Sequence, residues 1–260
     1  MGTGVGAAMR FRDRVAFVTG AGSGIGRATA ARFVAEGAKV FGVDVDRDCL
    51  AETIAALRKD GGTADGAHCD VADAASVDAA IARCVETLGG LNVLLNVAGI
   101  GGFQRFEELD EATWTRTLAV NLTGPFHTIR AALPHLLKPP VGTIVNVAST
   151  AGMRGTAYAA AYAASKAGLV NFTKTLALEF ASRDLRVNCI CPGGVRTPLV
   201  AKMFVRRDDL EQHIINYSAP PKPGTLSDPA DIARVIAFLA SDDAKTVNGV
   251  GLLADGGALA

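Results

Sequence analysis

The sequence has little that points to nucleic acid or to membranes. Its 26 basic and 26 acidic residues cancel, and no basic run is present, which argues against nucleic acid or an anionic membrane surface as a partner. No run of about 20 apolar residues is available to span a bilayer. The first residues also lack the charged start and longer apolar stretch of a secretory signal. We therefore expect a cytoplasmic protein with no nucleic-acid or membrane partner.

Cysteine is scarce, odd in number and scattered. Such a set does not build a disulfide framework. No His/Cys cluster has the spacing of a metal site, so no metal is expected. Two of the cysteines stand two residues apart in a predicted strand, where we expect buried thiols on opposite faces. The five are Cys49, Cys69, Cys84, Cys189 and Cys191.

Short apolar runs alternate with helical patterns along almost the whole chain. The clearest runs are almost continuously apolar, as expected of strands covered on both faces, and two weaker ones fit 64–69 and 249–253. This alternation predicts an α/β fold, a doubly wound (Rossmann) parallel sheet of seven strands flanked by helices. With no linker or repeat, we predict a flexible extension at 1–10 and one dinucleotide-binding and catalytic domain at 11–260. The clear runs are 14–19, 39–44, 92–99, 142–149 and 185–190.

A glycine-rich turn, TGAGSGIGRA, follows the first predicted strand. It does not fit the G-x-G-x-x-G fingerprint, because Ile25 stands at the third glycine position, but Gly20, Gly24 and Gly26 give a longer turn of the same kind. Backbone without Cβ atoms lets a pyrophosphate come close, and the next helix points its N-terminus at it. The turn therefore predicts nucleotide binding.

An acidic residue, Asp44, ends the second predicted strand. It lies 24 positions after Gly20, close to the roughly 20 expected of an acid that binds the ribose hydroxyls of NAD. It would repel the 2′-phosphate of NADP, and the glycine turn holds no Lys or Arg to compensate before Gly26. Arg47 could reach the 2′-phosphate, but it is flanked by the acidic residues Asp46 and Asp48. NAD is therefore favoured over NADP.

Two tyrosines precede a lysine in YAAAYAASKAGL, residues 158–169. Residues four apart share a helix face, so Tyr162 faces Lys166, whereas Tyr158 lies about 12 Å away along the helix axis. A phenol titrates near pH 10 and is a poor base at neutral pH. A nearby ammonium, a helix N-terminus or the positive nicotinamide of a cofactor favours the phenolate. We expect Tyr162, tuned by Lys166, to be the reactive tyrosine.

A proline interrupts a helical pattern that runs from about 111 to 137. Pro125 has no N–H, so it cannot donate to the carbonyl four residues earlier. That carbonyl belongs to Asn121 and is left free to hold a water molecule.

The motifs, taken in order and spacing, resemble the short-chain dehydrogenase/reductase family. They are TGAGSGIG at 19–26, NVAG at 96–99, Asn121, Ser149, YAASK at 162–166 and PGGVRT at 192–197. The resemblance spans almost the whole chain, and Asn92, Val97 and Ala148 depart from the family pattern. It implies an NAD(P)-dependent oxidoreductase that interconverts a secondary alcohol and a ketone, and a homotetramer or dimer.

The resemblance also implies catalytic roles. Tyr162 would be the general acid/base, and Lys166 would lower its pKa and hold the nicotinamide ribose. Ser149, thirteen positions before Tyr162, would orient the substrate oxygen, and Asn121 would hold the water of a proton relay.

Cofactor contacts are implied in the same way. Asp70 would sit beside the adenine, and Thr197 against the carboxamide of the nicotinamide. The predicted cofactor-binding residues are Gly20, Ser23, Gly24, Ile25, Gly26, Asp44, Asp70, Val71, Asn96, Ala98, Gly99, Tyr162, Lys166, Pro192, Gly193, Val195 and Thr197.

The segment 198–225 breaks the strand–helix rhythm, and the resemblance implies a mobile substrate lid. Whether its Arg206, Arg207 or His213 touches substrate stays open, as does the choice among cyclic alcohols, hydroxysteroids, sugars and polyols. A 3-oxoacyl thioester (acyl carrier protein) reductase using NADPH is an alternative. A non-catalytic nucleotide-binding regulator is another, but a sensor has no use for a tuned phenol.

Overall fold

Seven parallel strands form the centre of the protein in a computed structural model, which describes residues 9–138, 142–203, 210–211, 213–214 and 226–259. They are β1 (Val15–Thr19), β2 (Lys39–Asp44), β3 (Ala64–His68), β4 (Val93–Asn96), β5 (Thr143–Val147), β6 (Arg186–Pro192) and β7 (Gly251–Ala254). Their order is β3-β2-β1-β4-β5-β6-β7, so the chain winds from the middle to one edge and then to the other. The predicted doubly wound Rossmann sheet is confirmed.

Helices among the described residues cover both faces of the sheet. They are α1 (Gly24–Ala35), α2 (Arg47–Lys59), α3 (Ala74–Leu88), α4 (Glu111–Leu118), α5 (Gly124–Leu136), α6 (Ala160–Glu179), α7 (Pro198–Met203) and α8 (Pro229–Ala240). One hydrophobic cluster packs α1, α2 and α8 on the sheet, and a second packs α3, α5 and α6 on the opposite face. Strands β1 and β5 are therefore buried at every position.

The helical pattern around Pro125 is divided by one wide turn. Helix α4 passes through a π-type turn, Ala119–Thr123, into α5, and the N–H of Gly124 donates to the carbonyl of Ala119. This five-residue register comes directly before a proline that has no N–H to donate. Asn121 lies in the π turn and is fully buried, so the proline marks the place where the helix changes register.

The thiols of Cys189 and Cys191 lie on the same face of β6, and the expectation of opposite faces is wrong. Residues two apart in a strand point to the same side. Both side chains are buried, and a Cβ built on Gly251 of the neighbouring strand would lie 3.6 Å from one sulfur and 3.7 Å from the other.

Four neutral side chains, here called the amide–hydroxyl chain, join α5 to α6 through the ends of β4 and β5. The Thr128 hydroxyl donates to the side-chain oxygen of Asn96 at 2.7 Å. The Asn96 amide donates to Asn146 at 2.9 Å, and the Asn146 amide donates to the Thr173 hydroxyl at 2.9 Å. All four residues are buried, and the chain satisfies them without burying a charge.

Two predicted segments lie largely outside the described residues. Of the N-terminal extension, residues 1–8 are not described, whereas Arg10 donates to Glu36 at 2.6 Å. Of the lid, α7 and residues 210, 211, 213 and 214 are described, and Arg206 and Arg207 are not. His213 is exposed. No helix among the described residues is long and apolar enough to cross a membrane.

Candidate active site

The glycine turn between β1 and α1 fits a pyrophosphate. A Cβ on Gly26 would overlap the carbonyl oxygen of Gly20, so the turn closes tightly only because this position is glycine. Ser23 precedes α1 without a side-chain cap, and the first turn of α1 carries no acidic residue. Backbone N–H groups at the start of α1 are therefore not claimed by side chains, which is the arrangement that binds phosphate.

The carboxylate of Asp44 is held at the edge of the same pocket by backbone groups. The N–H of Gly22 donates to its Oδ2 at 2.8 Å, and the N–H of Asp46 donates to its Oδ1 at 3.0 Å. The described lining of this pocket includes most of the predicted cofactor residues. They are Gly20, Ser23, Gly24, Ile25, Gly26, Asp44, Asp70, Val71, Ala98, Gly99 and Thr197.

The remaining predicted cofactor residues do not line this pocket. The side chain of Asn96 belongs to the amide–hydroxyl chain behind it, and Val195 is buried and bridges to Ser227. Gly193 packs on Asp255. The others outside the lining are Pro192, which ends β6, and Tyr162 and Lys166, which lie at the adjoining catalytic centre.

Tyr162, Ser149 and Lys166 come together at the carboxyl end of β5. Ser149 follows β5, and its side chain lies near enough to the Tyr162 phenol to act on the pKa of that group. Its Oγ also accepts from the N–H of Ala151 at 3.1 Å. The Lys166 Nζ lies 5.8 Å from the centroid of the Tyr162 ring and donates to the carbonyl of Val147 at 2.8 Å. Both Tyr162 and Lys166 stand on α6, as their spacing predicts.

The pKa values at this centre are set mainly by burial. Burial raises the pKa of the Tyr162 phenol, and the nearby Ser149 side chain acts in the lowering direction. Burial also lowers the pKa of Lys166 to about 8. Burial is therefore the largest influence on both groups, and the ammonium of Lys166 is directed at Val147.

Asn121 is fixed by hydrogen bonds on both sides of its amide. Its Oδ1 accepts from the N–H of Ile100 at 2.9 Å, and its Nδ2 donates to the carbonyl of Ile100 at 2.8 Å. The Nδ2 also donates to the Ser165 hydroxyl at 3.0 Å, which donates to the carbonyl of Tyr162 at 2.7 Å. These hydrogen bonds thus connect the π turn to the loop after β4 and to the catalytic helix.

A second cavity, the ring-side cavity, is lined in part by Tyr162 and measures about 240 Å³. The backbone of Gly101 lies flat against the Tyr162 ring, since a Cβ there would be 2.7 Å from Cδ2. No charged residue is among the described lining. The lining is Ile100, Gly101, Gly102, Phe103, Gln104, Leu109, Thr113, Thr117, Tyr158, Ala159, Ala160, Ala161 and Tyr162.

Tyr158 occupies a different environment from Tyr162. It precedes α6 with a φ of 61°, in the left-handed region that favours glycine. Its phenol is hydrogen-bonded to the carboxylate of Glu211, and the Arg105 guanidinium lies 5.9 Å from its ring centroid. Tyr158 therefore has no contact with Lys166 in the described structure.

Sequence reasoning missed several residues of the site. Arg116 and Val97 line the cofactor pocket, and Gly101 supports the Tyr162 ring. Asn92, which departs from the family pattern, still makes a structural hydrogen bond: its side-chain oxygen accepts from the N–H of Val15 at 2.9 Å. Only contacts between distant segments reveal these positions.

Comparison with known proteins places this geometry in a family. Residues 14–208 match the family model for short chain dehydrogenase. The chain is 44% identical to 2,5-dichloro-2,5-cyclohexadiene-1,4-diol dehydrogenase LinX of Sphingobium indicum, over 96% of this chain and 98% of the relative. It is 36% identical to cyclohexanol dehydrogenase of Acinetobacter sp., over 95% of each chain.

A solved structure of another protein has a similar fold. The crystal structure of levodione reductase superposes with a TM-score of 0.89 at 34% identity, covering 96% of this chain and 100% of that one. With the seven-stranded Rossmann sheet, this match extends the likeness beyond the part covered by the family model. The chain belongs to the short-chain dehydrogenase/reductase family and is an NAD(P)-dependent oxidoreductase that interconverts secondary alcohols and ketones.

Proposed function

We propose that Tyr162 is the general acid/base of this oxidoreductase and that Ser149 orients the reacting oxygen. The observation that carries the proposal is that Ser149 and the Tyr162 phenol meet beside the buried ammonium of Lys166. A substrate hydroxyl placed between the serine and tyrosine oxygens is held by two groups at once. Such positioning brings the alcohol proton within reach of the phenol oxygen.

Tyr162 removes the hydroxyl proton during alcohol oxidation and returns it during ketone reduction. When bound, the nicotinamide supplies the hydride acceptor or donor, and its oxidised ring adds a positive charge that favours the phenolate. The phenol needs this contribution because burial alone raises the pKa of Tyr162. Lys166, fully buried on the same helix face, supplies a further positive charge.

Asn121 serves the relay by its place in the π turn. Its side chain is committed to Ile100 and Ser165, and Pro125 cannot donate to its carbonyl. That carbonyl is the group we assign to the relay water, which would carry the proton between Lys166 and solvent.

NAD is the cofactor that we assign to the pocket. The Asp44 carboxylate accepts two backbone hydrogen bonds, which fix its position where the adenosine ribose hydroxyls would bind. A 2′-phosphate there would face this charge. The uncapped start of α1 would hold the pyrophosphate.

The substrate class that we assign is a small, uncharged, ring-bearing secondary alcohol or its ketone. The described lining of the ring-side cavity carries no charge, and its volume of about 240 Å³ lies below the roughly 300–1,000 Å³ of sites for drug-sized ligands. The names of two relatives, a cyclohexadiene diol dehydrogenase and a cyclohexanol dehydrogenase, support a ring. The 3-oxoacyl thioester alternative is not favoured.

A substrate panel tests this function directly. Purified protein is mixed with NAD and either cyclohexanol, a cyclic diol, a linear polyol or a sugar, and the near-ultraviolet absorbance of the reduced cofactor is followed. Acetoacetyl-CoA with NADPH is assayed in the opposite direction. We expect turnover with the cyclic alcohols. Turnover confined to the thioester would overturn the substrate assignment.

Two further expectations concern the protein in the cell. All five cysteines are free, which fits the reducing cytoplasm. A homotetramer or dimer would cover exposed apolar side chains such as Phe126 on α5, which is 43% exposed. Light scattering coupled to size exclusion measures that assembly.

A further inference from the structure

An arginine that no sequence motif marks reaches into the cofactor pocket. Arg116 lies in the last turn of α4, five residues before Asn121, and lines the pocket together with Asp70. Its Nη2 donates to Oδ2 of Asp70 at 2.9 Å. The two side chains are 49% and 33% exposed, so the pair stands at the pocket rim and not in the core.

The sheet order shows which part of a dinucleotide meets this pair. The glycine turn follows β1, Asp44 ends β2, and β3 is the next strand outward. With the pyrophosphate at α1 and the adenosine ribose at Asp44, the base extends towards the end of β3. Asp70 and Val71 follow that strand and line the same pocket.

We propose that Arg116 is a cofactor-positioning residue that holds the Asp70 carboxylate in place to receive the adenine base. The N–H of Ala72 donates to Oδ1 of Asp70 at 3.0 Å, while Arg116 donates to Oδ2. Each carboxylate oxygen has room for a second donor, so the exocyclic amine of the base can still bind. This inference rests on the proposed NAD site.

The pair is not needed to hold its loop in place. A Cβ on Gly124 would lie 2.8 Å from Cγ2 of Val71, so the loop already packs directly on the start of α5. The His127 Nδ1 lies 3.2 Å from the carbonyl oxygen of Val71. Ion pairs at an exposed rim contribute little to stability. We therefore assign Arg116 the role of orienting Asp70.

Binding measurements separate this role from a structural one. For Arg116→Gln we expect the Kd of NADH, by fluorescence titration, and the Kd of ADP-ribose, by calorimetry, to rise by the same factor of about five to ten. ADP-ribose lacks the nicotinamide, so an equal loss places the effect at the adenosine end. At saturating cofactor, kcat should stay within about twofold. Arg130→Gln, on α5 with its guanidinium over Phe126, is the matched control.

A double-mutant cycle tests whether Arg116 acts through Asp70. In an Asp70→Ala background, Arg116→Gln should cause no further loss of ADP-ribose affinity. In the protein with Asp70 intact, Arg116→Lys should lose less ADP-ribose affinity than Arg116→Gln. Additive losses, an unchanged Kd in Arg116→Gln, or a loss for NADH alone would overturn the proposal. A parent protein that binds no NADH would instead contradict the NAD assignment itself.

Discussion

The ammonium of Lys166 and the ring of Tyr162 lie 5.8 Å apart on one face of α6. The ammonium donates to the carbonyl of Val147, and the side chain of Ser149 lies beside the Tyr162 phenol. Both residues therefore stand against the end of β5 and the residues directly after it. The pair is held between a helix and a strand end, which fixes the phenol where it can meet a substrate oxygen.

Tyr162→Phe should abolish turnover without loss of cofactor binding. The change removes only the phenol oxygen, and general acid/base catalysis supplies about 10²–10⁴-fold of a typical rate. We expect kcat to fall by about 10³-fold, with the Kd of NADH unchanged by fluorescence titration.

Tyr158→Phe is the matched control for that variant. Its ring lines the ring-side cavity, but the phenol oxygen that the change removes contacts Glu211 and not the catalytic centre, so most activity should remain. Equal losses in the two variants would show that the helix-face assignment is wrong.

Lys166 should make stability rise with pH in alkaline solution. Its folded pKa is about 8, against 10.5 for the free side chain, so below pH 8 both folded and unfolded states carry the proton. Between these values the folded protein has released the proton and the unfolded chain has kept it. The free energy of unfolding should therefore increase with pH, by up to roughly 3 kcal/mol.

Urea unfolding at a series of pH values between 8 and 10 measures this effect. The wild-type protein is compared with Lys166→Met, which lacks the titrating group, and with Lys174→Met, an exposed lysine on the same helix. The difference between wild type and Lys166→Met should grow as pH rises. A constant difference would contradict the buried, low-pKa ammonium.

Gly101→Ala should disturb catalysis through the Tyr162 ring. The new Cβ would lie 2.7 Å from Cδ2 of that ring, so the ring or the loop must move. Small misplacements of a catalytic group can cost about 10²-fold, and we expect kcat to fall by about 10–100-fold with the Kd of NADH little changed.

The neighbouring glycine provides the control. A Cβ on Gly102 has no heavy atom within 4 Å, so Gly102→Ala should keep nearly full activity. Thermal melts of both variants check that they remain folded. If Gly102→Ala loses as much activity as Gly101→Ala, loop flexibility and not ring contact is the cause.

Asp44 should make the protein bind NADH more tightly than NADPH. Asp44→Ala removes two functions at once, the acceptor for ribose hydroxyls and the repulsion of a 2′-phosphate. We expect NADH binding to weaken by about tenfold and NADPH binding to improve, with the exposed Asp48 changed to Ala as control. Tighter binding of NADPH by the wild type in the same titration would refute the assignment.

Much of the fold could be predicted from local sequence. Strand β2 was predicted at 39–44 and is found there, because a buried strand between helices is nearly continuous in apolar residues. The interruption of the helical pattern at Pro125 followed from one missing N–H. The common face of Tyr162 and Lys166 followed from helix geometry alone.

The remaining features depend on contacts between distant segments. Asp70 and Arg116 are 46 residues apart in sequence, and Gly101 meets a ring on another element. Burial, which a motif does not reveal, raises the pKa of Tyr162. The motif also did not show that the side chain of Asn96 faces Asn146, because the two residues are 50 positions apart in sequence.

The amide–hydroxyl chain behind the site has a consequence for how this enzyme is studied. Thr128, Asn96, Asn146 and Thr173 neither gain nor lose protons in the range where enzymes are assayed. These four side chains therefore carry no charge in acid or in alkali. A pH–rate profile of this enzyme should thus record the proton transfers of its chemistry without a background from these supporting residues.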